Sequence, residues 1–227
     1  NGFRENIDHR YIYSDYVLIG DSFTQSICEN KPNDLKSNLI NKTNFSFLNL
    51  GLQGTDYPHH YLILENYTKD TEFKGIIWFF YEGNDYETLS NKKKIIIQNH
   101  INQQYSDVNN LKYELNINHD ISIMFRLEVW FAELIRGSSV LIKFFKKYEN
   151  LININDYNYV LDESKKYLDK KKISKRYIVY VPSWQKLSLY KLKKYNLYEK
   201  HPQIKQLNKL KSDVKIIAEK NSFNFID

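Results

Sequence analysis

Cysteine is nearly absent from this 227-residue sequence, which holds one, Cys28. A single cysteine excludes an intramolecular disulfide framework and a cysteine-rich zinc module. Long apolar runs are also missing: no stretch of eighteen uncharged apolar residues occurs, so we expect no bilayer-spanning helix. Hydrophobic residues make up 42% and charged residues 26% of the sequence. This balance excludes wholesale disorder and predicts one globular domain over residues 1–227.

The first residues, Asn1-Gly2-Phe3-Arg4-Glu5, are mostly polar and do not resemble a signal peptide. Because the sequence does not begin with Met, we expect it to be a piece of a longer protein. A membrane anchor could then precede residue 1. The compartment stays open at this point.

The net charge of +6 raises the question of nucleic-acid binding. The basic residues fall in short lysine runs, at Lys92–Lys94, Lys170–Lys172 and Lys191–Lys194. Such runs are typical of solvated surfaces, and arginine, which reads bases and phosphates in a bidentate manner, is scarce beside lysine. We therefore expect no nucleic-acid partner.

Short apolar runs alternate with longer helical patterns along the chain. The runs predict five buried strands: Tyr16–Ile19, Phe45–Leu50, Gly75–Tyr81, Tyr177–Val181 and Phe223–Ile226. Helices are predicted over Tyr57–Tyr67 and over Gln203–Lys220, where Ile204, Leu207, Leu210, Val214 and Ile217 share one face. This alternation predicts an α/β fold with a parallel sheet covered by helices on both faces. Ligands of such sheets bind at the carboxyl ends of the strands.

Residues 86–175 interrupt the alternation and are expected to form a mostly helical insertion. The stretch Asp120–Lys147 is rich in large apolar residues, but its interspersed charges are incompatible with a membrane span. One interpretation is a helix or helical hairpin that packs on the sheet. The other is an amphipathic surface that contacts lipid, an acyl chain or a partner protein.

A serine follows the first predicted strand, in Gly20-Asp21-Ser22-Phe23. In this position the hydroxyl of Ser22 can face the ligand-binding edge, and the first N–H groups of a helix that begins there help to stabilise an oxyanion. The alternative interpretation is a helix N-cap, for which serine is also favoured.

Glycine-rich segments follow the next two predicted strands. The second strand is followed by Gly51-Leu52-Gln53-Gly54-Thr55-Asp56, whose glycines let the backbone approach a ligand closely. The third is followed by Gly83-Asn84-Asp85, where the carboxamide of Asn84 is a donor suited to an oxyanion. Ordinary turns favour the same residues, so each segment alone is weakly informative. Their order, each at the end of a predicted parallel strand, is more specific.

The three segments together resemble the motifs of the SGNH (GDSL-type) hydrolases. Gly20-Asp21-Ser22-Phe23 is similar to the first block of that family, residues 49–55 to the second and Gly83-Asn84-Asp85 to the third. The resemblance implies that Ser22 is the nucleophile and that Gly54, rather than Gly51, supplies a backbone oxyanion donor. Asn84 corresponds to the side-chain oxyanion donor. It also implies a flavodoxin-like three-layer sandwich of about five strands, and ester chemistry without metal or cofactor.

The fourth motif of the family, a late Asp-x-x-His that supplies the base, has no counterpart in the expected position. Asp56 precedes His59 by three residues, but this pair lies early in the chain. Three explanations stay open. The sequence stops before the motif, the chain is a degenerate member that binds without hydrolysing, or His59 or His60 substitutes, for which the sequence gives no geometric support. Serine without a base is a weak nucleophile.

The resemblance predicts a serine ester hydrolase or O-acyltransferase acting on small-molecule, polysaccharide or lipid esters. The alternative is a catalytically inactive module of the same fold that binds carbohydrate or a protein partner. The apolar middle of the chain suits an envelope-associated enzyme, with any membrane association provided by parts outside this sequence.

Overall fold

The structure, a computed structural model, describes residues 13–83, 85, 155–190, 193 and 202–227. Its centre is a five-stranded sheet in the order β2-β1-β3-β4-β5, and all neighbouring strands pair in parallel. The strands are β1 (Tyr13–Ile19), β2 (Phe47–Asn49), β3 (Glu72–Tyr81), β4 (Lys175–Val181) and β5 (Asn224–Ile226). All five predicted strands are confirmed, with ends shifted by a few residues.

Helices occupy the connections between the strands. In the described ranges they are α1 (Ser22–Gln25), α2 (Leu35–Thr43), α3 (Tyr57–Thr68), α4 (Asn155–Lys170), α5 (Trp184–Leu189) and α6 (Pro202–Lys220). The strand order and the helices on both faces form a flavodoxin-like three-layer α/β fold, so the predicted fold class is confirmed.

Two apolar clusters lie on opposite faces of the sheet. The larger one packs Val17 and Ile19 of β1 and the side chains of Ile76, Trp78 and Phe80 of β3 against α3, α4 and α6. The smaller one packs Tyr16 and Leu18, together with neighbours from β2, β3 and β4, against α2. Because β1 lies inside the sheet with helices on both faces, Val17, Leu18 and Ile19 are all completely buried. This explains why the strand is a continuous apolar run rather than an alternating one.

The predicted apolar face of α6 is also confirmed in its main part. Ile204, Leu207, Leu210 and Val214 are buried, and the stripe then continues to Ala218, with Ile217 partly buried beside it. The step of four residues from Val214 to Ala218 is closer to the 3.6-residue period of the helix than the step of three from Val214 to Ile217.

Part of the predicted insertion at 86–175 lies outside the described residues, namely 86–154 with the apolar stretch Asp120–Lys147. The part that the structure describes forms α4, whose Tyr157, Val160, Leu161 and Leu168 enter the larger cluster. No helix in the described part of the chain is both long and apolar enough for a transmembrane segment.

Candidate functional site

Ser22 lies at the carboxyl edge of the sheet, as the first residue of α1. The strand β1 ends at Ile19, and Asp21 caps the helix because its Oδ1 accepts a hydrogen bond from the backbone N–H of Phe23 at 2.9 Å. The helix ends after one turn, where Ser26 adopts a left-handed conformation with φ of 56°. Ser22 is half-buried, whereas Thr24 and Gln25 behind it are buried. The predicted nucleophile is therefore on the ligand-binding edge of the fold.

Asp21 is a buried carboxyl group next to Ser22. Burial raises the pKa of Asp21 to about 6, although the hydrogen bond from the N–H of Phe23 acts in the opposite direction. The carboxyl group accepts the hydrogen bond that caps α1, so it is engaged in the cap rather than offered as a base.

The loop after β2 is joined to the β1–α1 segment by hydrogen bonds. The N–H of Leu52 donates to the carbonyl of Gly20 at 3.0 Å, and the N–H of Gln53 donates to Gln25 Oε1 at 2.9 Å. Asn49, at the end of β2, donates from Nδ2 to the carbonyl of Thr24 at 2.7 Å. The segment that contains Ser22 and the segment that contains Gly54 are thus held together directly.

The two glycines of this second loop meet different requirements. A Cβ on Gly51 would lie 2.6 Å from the carbonyl carbon of Thr24, so Gly51 allows the loop to pack on the backbone of α1. Its N–H is bonded to Asn49 Oδ1 at 2.9 Å. Gly54 instead has a φ of 74°, a left-handed conformation that glycine adopts without strain. Gly54 is half-buried at the same edge as Ser22.

The third segment surrounds Asn84, which lies outside the described residues. On either side of it in the sequence, Glu82 and Asp85 are completely buried. Asp85 closes a turn with Tyr81: its Oδ2 accepts from the N–H of Tyr81 at 2.7 Å, and its own N–H donates to the carbonyl of Tyr81 at 3.1 Å. The pKa of Tyr157 is raised well above its ordinary value, mainly by burial and to a smaller extent by the negative charge of Asp85.

Glu82 anchors the end of β3 to β4 and α5. Its Oε1 accepts from Tyr180 Oη at 2.6 Å and from Lys186 Nζ at 3.1 Å. Its Oε2 accepts from the N–H and the Oγ of Ser183, each at 2.9 Å. Four donors satisfy this carboxylate, so its role in the described contacts is structural.

An aromatic pair links α1 to the end of β3. The rings of Phe23 and Tyr81 have centroids 4.4 Å apart and are tilted by 41°. Gly83 makes room for Tyr81, since a Cβ at this position would lie 2.5 Å from Tyr81 Cζ. Phe23 remains 54% exposed, so the pair forms an apolar rim beside Ser22.

The Asp-x-x-His pair of residues 56 and 59 forms at the start of α3. His59 Nδ1 contacts Asp56 Oδ1, and the two residues make a capping box at the N-terminus of the helix. The neighbouring His60 is completely buried, and both of its ring nitrogens are engaged, with Trp78 and Thr55. Burial lowers the pKa of His60 to about 3. His60 is therefore a neutral core residue and is unsuited to act as a base.

From the sequence, Glu82 and the side chains of Asn49 and Gln25 were not singled out as parts of this edge, and His60 was named only as a substitute for the missing base. One signal for Glu82 was present: residues 76, 78 and 80 face the larger cluster, and Glu82 continues that alternation into the core. The local pattern marks His59 by Asp56 three residues earlier, but it contains no signal for the complete burial of His60.

Comparison of the chain with family models, curated proteins and solved structures finds no significant match. Among the described residues, no group of three or more His, Cys, Asp or Glu side chains is arranged to hold a metal ion.

Proposed function

We propose that the chain carries the site of a serine ester hydrolase or O-acyltransferase acting on ester-linked acyl groups of carbohydrates, lipids or small molecules. The observation that supports this most is the position of β1 between β2 and β3. It makes the loops that follow these three strands neighbours at one edge, and these loops contain the serine, glycine and asparagine motifs. The hydrogen bonds from Leu52 and Gln53 to the Ser22 segment add to this support.

In the proposed reaction, Ser22 Oγ loses its proton to a base and forms a bond to the ester carbonyl carbon. The N–H groups of Ser22 and Gly54 and the carboxamide of Asn84 donate to the developing oxyanion. The ester C–O bond then breaks, the leaving alcohol takes the proton from the base, and the acyl group stays on Ser22. Water or a sugar hydroxyl attacks this acyl group next, which releases an acid or a new ester and restores the hydroxyl of Ser22.

Labelling with an active-site phosphonate probe tests the nucleophile. We expect Ser22→Ala to abolish labelling, because the probe forms its bond with the serine oxygen. Ser37→Ala is a matched control: Ser37 is also a half-buried serine in the first turn of a helix capped by an aspartate, Asp34. This control should label like the wild-type protein.

Equal labelling of the Ser22→Ala variant would remove Ser22 from the nucleophile role. A folded wild-type protein that neither labels nor hydrolyses short- or long-chain nitrophenyl esters would contradict the proposal. That result would favour the alternative, a catalytically inactive module that binds carbohydrate or a protein partner.

A separate variant tests the source of the base. His59 carries the orienting contact that a base requires, since Asp56 holds its Nδ1. If this pair activates Ser22, His59→Gln should lower the rate of phosphonate labelling by about 10²-fold or more, the usual range for general base catalysis. Unchanged labelling would exclude His59 and assign the base to another residue of the protein.

A further inference from the structure

A directional chain of hydrogen bonds runs from the centre of the sheet to the loop that contains Gly54. Trp78 Nε1, which can only donate, lies 3.1 Å from His60 Nδ1. His60 Nδ1 must therefore accept, so the proton of the neutral ring is on Nε2. Nε2 then donates to Thr55 Oγ1 at 3.1 Å.

The chain ends on the backbone of the loop itself. Because Thr55 Oγ1 accepts from His60, its own hydrogen is directed to the carbonyl of Leu52, at 2.5 Å. The N–H of the same residue, Leu52, donates to Gly20, two residues before Ser22. Both polar backbone groups of Leu52 are thus fixed. Its N–H donates to Gly20, and its carbonyl accepts from Thr55, the last side chain in the series of hydrogen bonds that begins at Trp78.

All three side chains in this series of hydrogen bonds are buried. Trp78 and His60 are completely buried, and Thr55 is 8% exposed. Trp78 lies in β3, paired with Ile19 at the end of β1, and its ring packs edge-on against His60. The loop is therefore connected to the most deeply buried part of the fold and not only to neighbouring loops.

We propose that His60 is a positioning residue that acts through Thr55: it fixes the Leu52–Gly54 turn and so holds the N–H of Gly54 against the oxyanion position beside Ser22. The role of Gly54 in this inference rests on the proposed function. The fixation of the turn does not, and it can be measured on its own.

The first test replaces the Thr55 hydroxyl and leaves His60 in place. Thr55→Val removes the hydroxyl, and Thr55→Ser restores it. Thr68→Val is the control for the loss of a buried threonine hydroxyl, because Thr68 ends the helix that Thr55 precedes and bonds to Leu64 and Tyr167. We expect Thr55→Val to speed the hydrogen exchange of the Leu52 and Gln53 amides by about tenfold or more, and Thr68→Val to leave them unchanged.

Hydrolysis of a nitrophenyl ester gives the second readout. With Thr55→Val we expect kcat to fall by about 10-fold to 10²-fold with little change in KM, because a displaced donor acts on the transition state. Thr55→Ser should recover most of this loss, and Thr68→Val should retain wild-type kcat.

A pair of variants at His60 separates positioning from packing. His60→Gln keeps a donor near the former Nε2, whereas His60→Asn keeps an acceptor near the former Nδ1 and loses the donor to Thr55. Only the Asn variant should release the Leu52 and Gln53 amides. Equal exchange in the two His60 variants, or in Thr55→Val and Thr68→Val, would overturn the proposal. A wild-type protein without esterase activity would contradict the proposed function, and the exchange data would still decide whether His60 fixes the turn.

Discussion

Two buried titratable side chains near the candidate site have pKa values shifted in opposite directions. Burial raises the pKa of Asp21 to about 6 and lowers the pKa of His60 to about 3. The contribution of Asp21 to stability is complete below pH 3.8 and is lost as the pH rises through 6. The contribution of His60 is complete above pH 6.5 and is lost as the pH falls toward 3. Between about pH 4 and 6 the two effects offset each other, so single variants are needed to separate them.

Replacing Asp21 should isolate the first effect. The carboxamide introduced by Asp21→Asn keeps an acceptor for the N–H of Phe23 but does not titrate. The unfolding free energy of the variant relative to wild type should therefore rise by about 1.4 kcal/mol per pH unit between about pH 4 and 6. Urea unfolding of both proteins at several pH values measures this difference. A pH-independent difference would show that the Asp21 carboxyl titrates normally.

Replacing His60 should reveal the opposite slope. In His60→Gln the buried group no longer gains a proton in the unfolded state, so the variant lacks the acid sensitivity of the wild type. As the pH falls from about 6.5 to 4.5, the unfolding free energy of the wild type should fall relative to the variant by about 1.4 kcal/mol per unit. The same urea titrations measure it, and a constant difference over this range would contradict the assignment of His60 as a buried neutral ring.

Only some residues of the candidate site could be predicted from the sequence, because some follow a recognisable strand and others are placed by contacts between distant parts of the chain. Ser22 and Gly54 follow strands that are recognisable as apolar runs, so the position of these two residues at the carboxyl edge of the sheet can be predicted. His60 and Glu82 owe their roles to contacts with Trp78 and Tyr180, distant in sequence. Such contacts leave no local spacing to detect.

At the scale of elements, Glu82 joins the end of β3 to β4 and α5. Glu82→Ala leaves Lys186 and the Ser183 N–H without their buried partner, and we expect it to lower the unfolding free energy by about 3–5 kcal/mol. Glu72→Ala is the control on the same strand, at its exposed start, and should change stability by less than about 0.5 kcal/mol. Denaturant unfolding measures both, and similar losses in the two variants would contradict the anchoring role of Glu82.

Helices and strands could be predicted where their buried residues form a recognisable apolar pattern in the sequence. The strands appear in the sequence as apolar runs because helices cover the sheet on both faces, and α6 shows an apolar period because one of its faces packs in the larger cluster. The helix α2 has no buried residue and rests on the smaller cluster only through Leu35 and Leu39, so its sequence lacks a strong stripe. The helix α5 spans six residues, which is too short for a period to stand out. The helix α4 does have a stripe, but it was grouped with the insertion that precedes it.

At the scale of the whole molecule, the sheet order places the reversal of strand order beside β1. From β1 the chain moves outward to β2 and then returns past β1 to β3, β4 and β5. The connection through α2 covers one face and the connection through α3 covers the other. The chain thus leaves β1 toward one edge of the sheet and leaves β3 toward the other, and folds with this strand order bind ligands in the crevice between β1 and β3.

The net charge of +6 belongs to this scale as well. We expect weak retention on an immobilised polyanion, with a shallow dependence of the logarithm of affinity on the logarithm of salt concentration. Short, separate lysine runs on solvated surfaces make few simultaneous phosphate contacts. Retention measured between about 50 and 200 mM salt tests this, and a slope of about −5, as for about six phosphate contacts, would favour a nucleic-acid partner.

The bonds that join the first two loops have a consequence for engineering. They use backbone groups of Gly20, Thr24 and residues 52 and 53, together with the side chains of Asn49 and Gln25. The exposed side chains of Phe23 and Gln53 make none of these bonds, although both project at the same edge. A library randomised at positions 23 and 53 should therefore vary what the crevice accepts while the framework beneath it is conserved.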